Sequence, residues 1–523
     1  MINKKNILTL LLASMSVFLA EAYDFEIDGI YYNILSKNSR TVEVTYRDPV
    51  DTGYRGTVTV PPAVVYEGDL YDVTAIGEHA FDNSEKLTEI NLPEGITVLK
   101  EYSFAHCTAL KGIKLPATLT DIKGSAFDYC AALESIRLPE VINIGSSSFG
   151  NCTSLVDIDL GEKLQTIGTF AFRGSTLLPK ISIPASVIYI GDYSFLYCTA
   201  LKEIEVAEAN KFYSWADGLL LNKEKTAVLA CAQGNTEIVV PEGITKITDT
   251  GFYGAIKLEK ISLPSTLTSI GSSSFYGCAE LLQLDIPESV TSIGEGAFRS
   301  CVKLTSIKLP SALTEISDML FASCAGLKAI EIPDGVVKIG ETAFAECSSL
   351  ESVEIGNGVS DIKMLAFSFC PELKDVVFGY GLKNIGTQAF RGCPKIEHVE
   401  CHAMVPPDVT GDYLFENRVY EDAMLYVPAE SREAYETTAP WSSFMSITGS
   451  LAAVGKISHV RNQISITIAD GVLNIAGCEE EVVTVADLSG KIYHHGTMSK
   501  GLRLPGGVYM VKAGSEIFKI ILK

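Results

Sequence analysis

Apolar and polar positions along this chain repeat with a period of 23 residues, and a phenylalanine marks each repeat. Around each one the chain reads approximately I-G-x-x-x-F-x-x-C-x-x-L-x-x-I-x-L-P, as at 293–310. A fixed period of roughly 20 to 30 residues is typical of a solenoid, in which each coil buries its apolar face only against its neighbours. One step in the series is 22 residues and one is 57. The thirteen phenylalanines in this register are Phe81, Phe104, Phe127, Phe149, Phe172, Phe195, Phe252, Phe275, Phe298, Phe321, Phe344, Phe367 and Phe390.

Each repeat contains two short segments that predict strands. In L-x-x-I-x-L-P, as at 304–310, apolar and polar residues alternate, which indicates a strand with one buried side. A second apolar pair follows, such as Leu313 and Ile316, and most copies then have a glycine, such as Gly271 or Gly294, for which we predict a turn with positive φ. Two strand segments in 23 residues leave no room for an ordinary crossover helix. The pattern therefore predicts a mainly β, right-handed solenoid of about 13 coils whose strands stack in parallel.

The repeat resembles the leucine-rich repeat of the BspA type. The likeness is carried by A-F-x-x-C-x-x-L-x-x-I-x-L-P-x-x-[LV]-x-x-I-G, repeated over 75–401. The plain leucine-rich repeat has an Asn that this pattern lacks, so the ligand rules of animal receptors do not transfer. The resemblance implies a leucine-rich-repeat solenoid on a bacterial cell surface. It also implies adhesion to extracellular matrix or plasma proteins of a host, such as fibronectin.

Segments on both sides of the repeats are expected to cap the solenoid. Strand-like stretches in 23–74 predict an N-terminal β cap, since an exposed solenoid end needs a cover. After Phe390 the repeats decay, and we expect 402–450 to form a C-terminal cap in which Trp441 seals the last coil. The gap of 57 residues contains a strand, a polar turn and a returning strand, so a hairpin insertion is expected at about 207–240.

The two ends of the chain carry different signals. Residues 1–22 have Lys4 and Lys5 before a short apolar run that ends on small residues, which is the layout of a cleaved secretory signal peptide. We therefore expect export to the cell surface, the outer membrane or the extracellular space. Residues 455–523 contain short strands with D-L-S-G-K and G-V-Y motifs, and they resemble the C-terminal sorting domain read by the type IX export machinery of Bacteroidetes-like bacteria. A small β-sandwich without an export role explains the same alternation, and this alternative stays open.

The acidic composition narrows the partner classes. A formal net charge of −22 repels nucleic acid and anionic lipid, so we expect neither as a partner. No stretch after the leader is apolar for long enough to span a bilayer, so the protein is not expected to cross a membrane. The remaining expectation is a monomer that binds an extracellular protein.

Cysteine placement argues against a disulfide framework, although an exported chain with thirteen cysteines would ordinarily suggest one. Ten cysteines come three residues after a repeat phenylalanine, and the other copies have Ser84, Ser175 or Ala255 at that position. A small buried slot tolerates such exchanges one coil at a time, whereas a bridging partner does not. We predict a row of buried free thiols.

The sequence contains no motif that points to catalysis or to a cofactor. G-x-S-x-G, P-loop and H-E-x-x-H motifs are missing, and buried thiols are poor nucleophiles. His398, Cys401 and His402, with Cys393 upstream, are metal-ligand types. Because Cys393 belongs to the buried row, we interpret this group as a polar last coil and predict no metal site.

Candidate binding residues come from two places. One is the outward side of the predicted strands, which has no aromatic residue over the repeats and suits a protein partner. The other is the aromatic cluster of the insertion, which would stack on a sugar and makes a carbohydrate-binding accessory protein the alternative. The candidates are Asp157, Asp159, Glu203, Glu205, Asp285, Glu331 and Glu354 on the strands, and Phe212, Tyr213 and Trp215 on the insertion.

Overall fold

A computed structural model describes residues 23–48, 54–411 and 413–449, together with strand segments between 465 and 522. The expected signal peptide, residues 1–22, lies outside the described residues. Among the residues that the structure describes, none of the helices has both the length and the apolar character needed to cross a bilayer.

The repeats fold into a β-solenoid, as predicted, and its first side is a row of short parallel strands. Register advances by one repeat from strand to strand, as in the pairing of Ile330 with Val353. Apolar residues of each strand point into the core and the alternate residues point outward; we call the outward side the strand face. Its strands are Gly56–Thr59, Leu87–Asn91, Ser135–Arg137, Asp157–Asp159, Lys180–Ile183, Glu203–Val206, Glu237–Val239, Lys260–Ser262, Gln283–Asp285, Ser306–Lys308, Ala329–Ile332, Ser352–Ile355, Asp375–Phe378, His398–Cys401, Met424–Tyr426 and Ser446–Thr448.

A second row of two-residue strands forms another side of the solenoid. These strands also pair in parallel, as Ile316 does with Ile339. Each contributes a β-branched or leucine side chain to the core. The strands are Val98–Leu99, Asp121–Ile122, Asn143–Ile144, Thr166–Ile167, Tyr189–Ile190, Lys246–Ile247, Ser269–Ile270, Ser292–Ile293, Glu315–Ile316, Lys338–Ile339, Asp361–Ile362, Asn384–Ile385 and Asp408–Val409.

The glycine after the second strand has a different role from the predicted one. Gly271 and Gly294 do not adopt positive φ. They are instead required by the close approach of neighbouring coils: a Cβ on Gly294 would lie 2.4 Å from the Ser272 nitrogen. Sequence alone could not separate these two causes, because both select glycine.

We expect Gly294→Ala to destabilise the protein by about 1–3 kcal/mol, because the added methyl group must push two coil backbones apart. Gly112→Ala is the matched control. Its Cβ would have no atom within 4 Å, so the substitution should be neutral or stabilise by up to about 1 kcal/mol through the unfolded chain. Denaturant unfolding of both variants measures the difference, and equal midpoints would contradict the close-approach explanation.

The third side of each coil is a turn centred on the repeat phenylalanine. The phenylalanine rings are buried and stack nearly parallel, with neighbouring centroids 4.9–6.1 Å apart. In an ordinary coil three N–H groups donate to the next coil, as Met319, Phe321 and Ser323 do to Glu341, Ala343 and Ala345. We call this series of backbone bonds the turn ladder. It ties the coils together on the side where no strand is present.

The ten cysteines that follow a repeat phenylalanine are buried free thiols, as predicted. Each of the ten sulfurs lies 3.0–3.3 Å from the phenylalanine carbonyl oxygen of the preceding coil. The Ser175 hydroxyl makes the same bond to Phe149 at 3.0 Å. The slot therefore suits a small side chain, and Cys and Ser exchange there because both can donate this hydrogen bond, whereas Ala255 fills the slot without one.

The solenoid has about 16 turns, more than the predicted 13. The difference arises because some strands of the row lack the phenylalanine motif. In the caps, Gly56–Thr59 pairs with Leu87–Asn91 and Met424–Tyr426 pairs with His398–Cys401, and after the insertion Glu237–Val239 pairs with Lys260–Ser262. At the N-terminal end the Tyr54 ring covers Phe81 at 4.5 Å. The other strands of this cap are Phe25–Ile27, Ile30–Ser36, Thr41–Thr45, Ala63–Tyr66 and Asp69–Ile76.

The C-terminal cap contains short helices and a buried tryptophan. Trp441 is fully buried and donates its indole N–H to the Pro407 oxygen at 2.9 Å. The Tyr435 hydroxyl similarly donates to the Ala403 oxygen. The α-helices are Asn417–Asp422 and Arg432–Thr437, and the 3-10 helices are Ala429–Ser431 and Trp441–Ser443.

The insertion is a three-stranded meander where a hairpin was expected. Tyr213–Ala216, Leu219–Asn222 and Ala227–Cys231 are antiparallel to one another. The third strand pairs in parallel with Lys246–Ile247, so the meander joins the second strand row. The buried apolar residues form two clusters that meet at this insertion.

Strands near the C-terminus form two antiparallel sheets. One has three strands, Ser465–Ala469, Val472–Ala476 and Leu502–Arg503. The other has four, in the order Ile492–Gly496, Val483–Asp487, Gly507–Ala513 and Glu516–Leu522. All-antiparallel pairing suits the small β-sandwich expected for 455–523, and the sandwich itself stays a prediction.

Candidate binding surface

The acidic candidates lie where the sequence predicted, on the outward side of the strands. Alternation along each strand turns the apolar residue inward and these carboxylates outward. Glu205 is half-buried and accepts a hydrogen bond from the Ser182 hydroxyl at 2.9 Å. The exposed members are Asp157, Asp159, Glu203, Asp285, Glu331 and Glu354.

Two of these carboxylates share a groove with the insertion. The groove has a volume of about 500 Å³, and its lining includes Asp159, Glu205 and Trp215. Trp215 keeps 41% of its surface exposed. From the sequence, the strands and the insertion were two separate candidate binding regions. In the structure, the meander places Trp215 at the edge of the strand face. We call this the tryptophan groove.

The other two aromatic residues of the insertion differ from Trp215. Phe212 is 50% exposed and does not line the tryptophan groove. The Tyr213 hydroxyl accepts a hydrogen bond from the Ile190 N–H at 2.9 Å, and burial raises the pKa of this phenol. Tyr213 therefore holds the meander against the preceding coil. This is a structural role, and it does not require that Tyr213 stack on a ligand.

A second groove of about 710 Å³ lies further along the strand face. Its lining includes Glu331, Glu354 and Tyr380, and Tyr380 is 64% exposed. Sequence reasoning missed this tyrosine because it follows the strand. It stands in a turn where other repeats have Asp334 or Asn357, and that exchange of a polar residue for an aromatic one was the available signal. We call this the tyrosine groove.

An ion pair at the far end of the tyrosine groove balances part of its negative charge. Lys308 lies 2.9 Å from Glu288. The hydrogen bond from Lys308, followed by those from Ser311, lowers the pKa of Glu288 to about 2. Asp157, Glu203 and Asp285 line neither groove. The structure thus brings together four of the acidic candidates, two in each groove, and gives each groove one exposed aromatic ring.

The described cysteines and histidines do not come together as a metal site. Burial raises the pKa of the Cys198 and Cys347 thiols to about 12, so they are not thiolates near neutral pH. The Cys401 sulfur lies 3.2 Å from the Tyr435 hydroxyl oxygen, and His402 pairs with Glu400. In the part of the chain that the structure describes, no three His, Cys, Asp or Glu side chains are grouped so as to hold a metal ion.

Comparison with known proteins indicates a repeat family and a shared fold. The model of the BspA type leucine rich repeat region matches residues 125–216, 229–349 and 314–420, which together make up more than half of the chain. A leucine-rich repeat protein from Eubacterium ventriosum is 22% identical over 70% of this chain and 93% of that chain, with a TM-score of 0.55. The pneumococcal vaccine antigen PcpA is 20% identical over 78% and 94% of the two chains, with a TM-score of 0.52.

A further similar structure is a leucine-rich repeat protein from Bacteroides ovatus. It is 29% identical over 72% of this chain and 94% of that chain, with a TM-score of 0.47. No curated protein is significantly similar to the chain.

Proposed function

Because the chain belongs to the BspA-type leucine-rich repeat family, we propose that it is an exported, non-enzymatic protein that binds an extracellular protein through its strand face. The family is generally non-enzymatic. The observation that carries the proposal is the pairing of an exposed aromatic ring with two carboxylates in each groove, Trp215 in one and Tyr380 in the other. Tryptophan and tyrosine are the residues most often responsible for binding energy at protein interfaces.

The two grooves suit a protein partner for a further reason. They lie along one extended face, so a partner would contact both at once, and a single small ligand would not. Carboxylates around each ring would pair with basic side chains of the partner and fix its position along the strands. Relatives of the BspA type are described as adhesins for matrix and plasma proteins, so such proteins, fibronectin among them, are the first partners to test.

The test is binding of purified matrix and plasma proteins, including fibronectin, to the immobilised chain and its variants. Trp215→Ala and Tyr380→Ala should each weaken binding by about 2 kcal/mol, roughly thirtyfold in Kd. Tyr129→Ala is the matched control, because Tyr129 is 47% exposed on the turn side of the solenoid. The proposal fails if no protein of the panel binds, or if Tyr129→Ala weakens binding as much as the groove variants do.

The tryptophan groove also supports the alternative of carbohydrate binding. An indole face stacks on the apolar face of a sugar ring, and the Asp159 and Glu205 carboxylates would accept bonds from its hydroxyl groups. A glycan array probed with the parent chain and with Trp215→Ala separates the two functions. A glycan signal that disappears in the variant would favour the alternative, and an array without signal would favour the protein partner.

We further propose that residues 455–523 direct export. Gly507–Ala513 pairs with both Val483–Asp487 and Glu516–Leu522, so deletion of 506–523 removes two strands from the four-stranded sheet. In a bacterium with the type IX machinery, we expect the truncated protein to stay in the periplasm. Protease treatment of intact cells measures this, and equal cleavage of parent and truncated protein would exclude the sorting role.

A further inference from the structure

Among the described coils, the turn ladder loses all three of its direct backbone bonds at one junction, between the coils of Phe195 and Phe252. Twelve of the thirteen repeat phenylalanines donate their N–H to a backbone oxygen of the following coil or cap, whereas the Phe195 N–H has no such acceptor in the part of the chain that the structure describes. The Tyr193 N–H, which begins the same turn, also has no acceptor among the described residues. In the repeat pattern the acceptors on the opposite side would be the Asp249 and Gly251 oxygens. Neither oxygen accepts a backbone N–H from any residue that the structure describes. Two donors and two acceptors therefore face each other without bonding.

The interruption follows from the insertion. The coil between these two phenylalanines has the meander in place of a second strand and a phenylalanine turn, so one layer of turn is missing. The gap continues into a cleft of about 360 Å³, at the lower end of the roughly 300–1,000 Å³ usual for ligand pockets. Leu229 and Ala230 of the meander line the cleft, and Tyr193 and Tyr253 come from its two flanking turns.

The protein fills one position of the interrupted ladder with a side-chain amide. In an ordinary coil the Tyr197 N–H would reach the Tyr253 oxygen directly. Here Gln233 stands between them: its oxygen accepts from the Tyr197 N–H at 2.7 Å, and its amide nitrogen donates to the Tyr253 oxygen at 2.8 Å. Gln233 is buried. The space between the two turns is therefore wide enough for one amide group, which accepts a hydrogen bond from one turn and donates one to the other.

We propose that the cleft binds an extended peptide segment of a partner protein, which adds a strand to the turn ladder beside Gln233. Backbone carbonyls of the segment would accept from the Tyr193 and Phe195 N–H groups, and its N–H groups would donate to the Asp249 and Gly251 oxygens. Main-chain hydrogen bonds of this kind give affinity in strand addition, and side-chain pockets give specificity.

A peptide backbone fits the cleft better than other ligands do. An extended peptide presents N–H donors and carbonyl acceptors at regular intervals along its length. The cleft also presents its groups in series, with two N–H donors on one wall and two carbonyl acceptors on the other. The Tyr193 and Tyr253 rings are in edge-to-face contact at 4.8 Å, which favours small side chains beside them. Water would satisfy single groups in the cleft, and a cleft occupied by water alone is the outcome that the experiment must separate from peptide binding.

The probe is a displayed library of linear twelve-residue peptides, selected on the full chain and depleted on the Ala230→Phe variant, whose added ring would fill the cleft. Selected peptides should bind the parent at least about tenfold more tightly than this variant. The added ring would displace part of the peptide, and a tenfold change corresponds to the loss of one or two of its hydrogen bonds to the cleft. Tyr276→Ala is the control, because the Tyr276 ring stacks on Tyr253 without lining the cleft. This variant should bind as the parent does.

A second measurement does not depend on how well the variants fold. Each backbone amide of a selected peptide is methylated in turn, and the methyl groups that face the Asp249 and Gly251 oxygens should weaken binding about tenfold or more. The proposal is overturned if no peptide distinguishes the parent from Ala230→Phe. It is also overturned if methylation at every position leaves Kd unchanged.

Discussion

Phe321→Ala is expected to lower the free energy of unfolding by about 3–5 kcal/mol. The Phe321 ring is fully buried, with Phe298 at 5.4 Å on one side and Phe344 at 5.3 Å on the other. Its removal leaves a cavity between two coils that cannot close, because strands and turns on all sides fix the coil spacing. Denaturant unfolding followed by circular dichroism measures the loss.

The control for this prediction is Phe369→Ala. Phe369 belongs to the same kind of turn, two residues after a repeat phenylalanine, but it is 49% exposed and contacts Arg391 across its ring. Its removal should cost less than about 1 kcal/mol. If the two substitutions have equal effects, the stack of rings is not what stabilises the solenoid.

The core is divided into two clusters, and this division determines which coils are destabilised by Phe321→Ala. The buried residues after the meander form one cluster and those before it form another, and the phenylalanine stack is interrupted between Phe195 and Phe252. Repeat proteins are stabilised by interactions between nearest neighbours, so a weakened coil affects its own cluster first. We therefore expect Phe321→Ala to increase amide exchange in the C-terminal coils more than in the coils before Phe195.

The repeats could be predicted from the sequence because every coil makes the same contacts. Thirteen copies of the pattern identify the buried phenylalanine, the buried thiol and the alternating strand, and the structure has all three in the predicted places. The caps were harder. Gly56–Thr59 and Ser446–Thr448 continue the strand row, but their flanking residues lack the phenylalanine and cysteine that mark a coil.

The candidate binding surface was only partly predictable. Alternation within one strand places a carboxylate such as Glu331 outward, and this needs no knowledge of the rest of the chain. Trp215 and Asp159 line the same groove only because of how the meander folds back, and the sequence predicted a hairpin there. Gln233 illustrates the same limit, because its role exists only where two turns lose their direct hydrogen bond.

Trp441→Ala is the second substitution with a large expected effect, about 3–5 kcal/mol. The indole is fully buried in the C-terminal cap, where it contacts Tyr435 at 5.6 Å and Phe378 at 6.2 Å. Its loss leaves a cavity at the end of the solenoid, and the Pro407 oxygen loses its hydrogen bond. Since a solenoid end without its cover exposes the next coil, unfolding of this variant should begin in the C-terminal coils.

Trp215→Ala is the matched control, because the chain has only two tryptophans and Trp215 is the exposed one. It should change stability by less than about 1 kcal/mol while leaving Trp441 as the single indole fluorophore. Fluorescence of this variant then follows the cap alone, and circular dichroism follows the whole chain. If Trp441 covers the last coil, the cap signal changes at or before the main transition. A cap signal that changes only after the strands have unfolded, or a Trp441→Ala variant as stable as the parent, would show that the solenoid end does not depend on this residue.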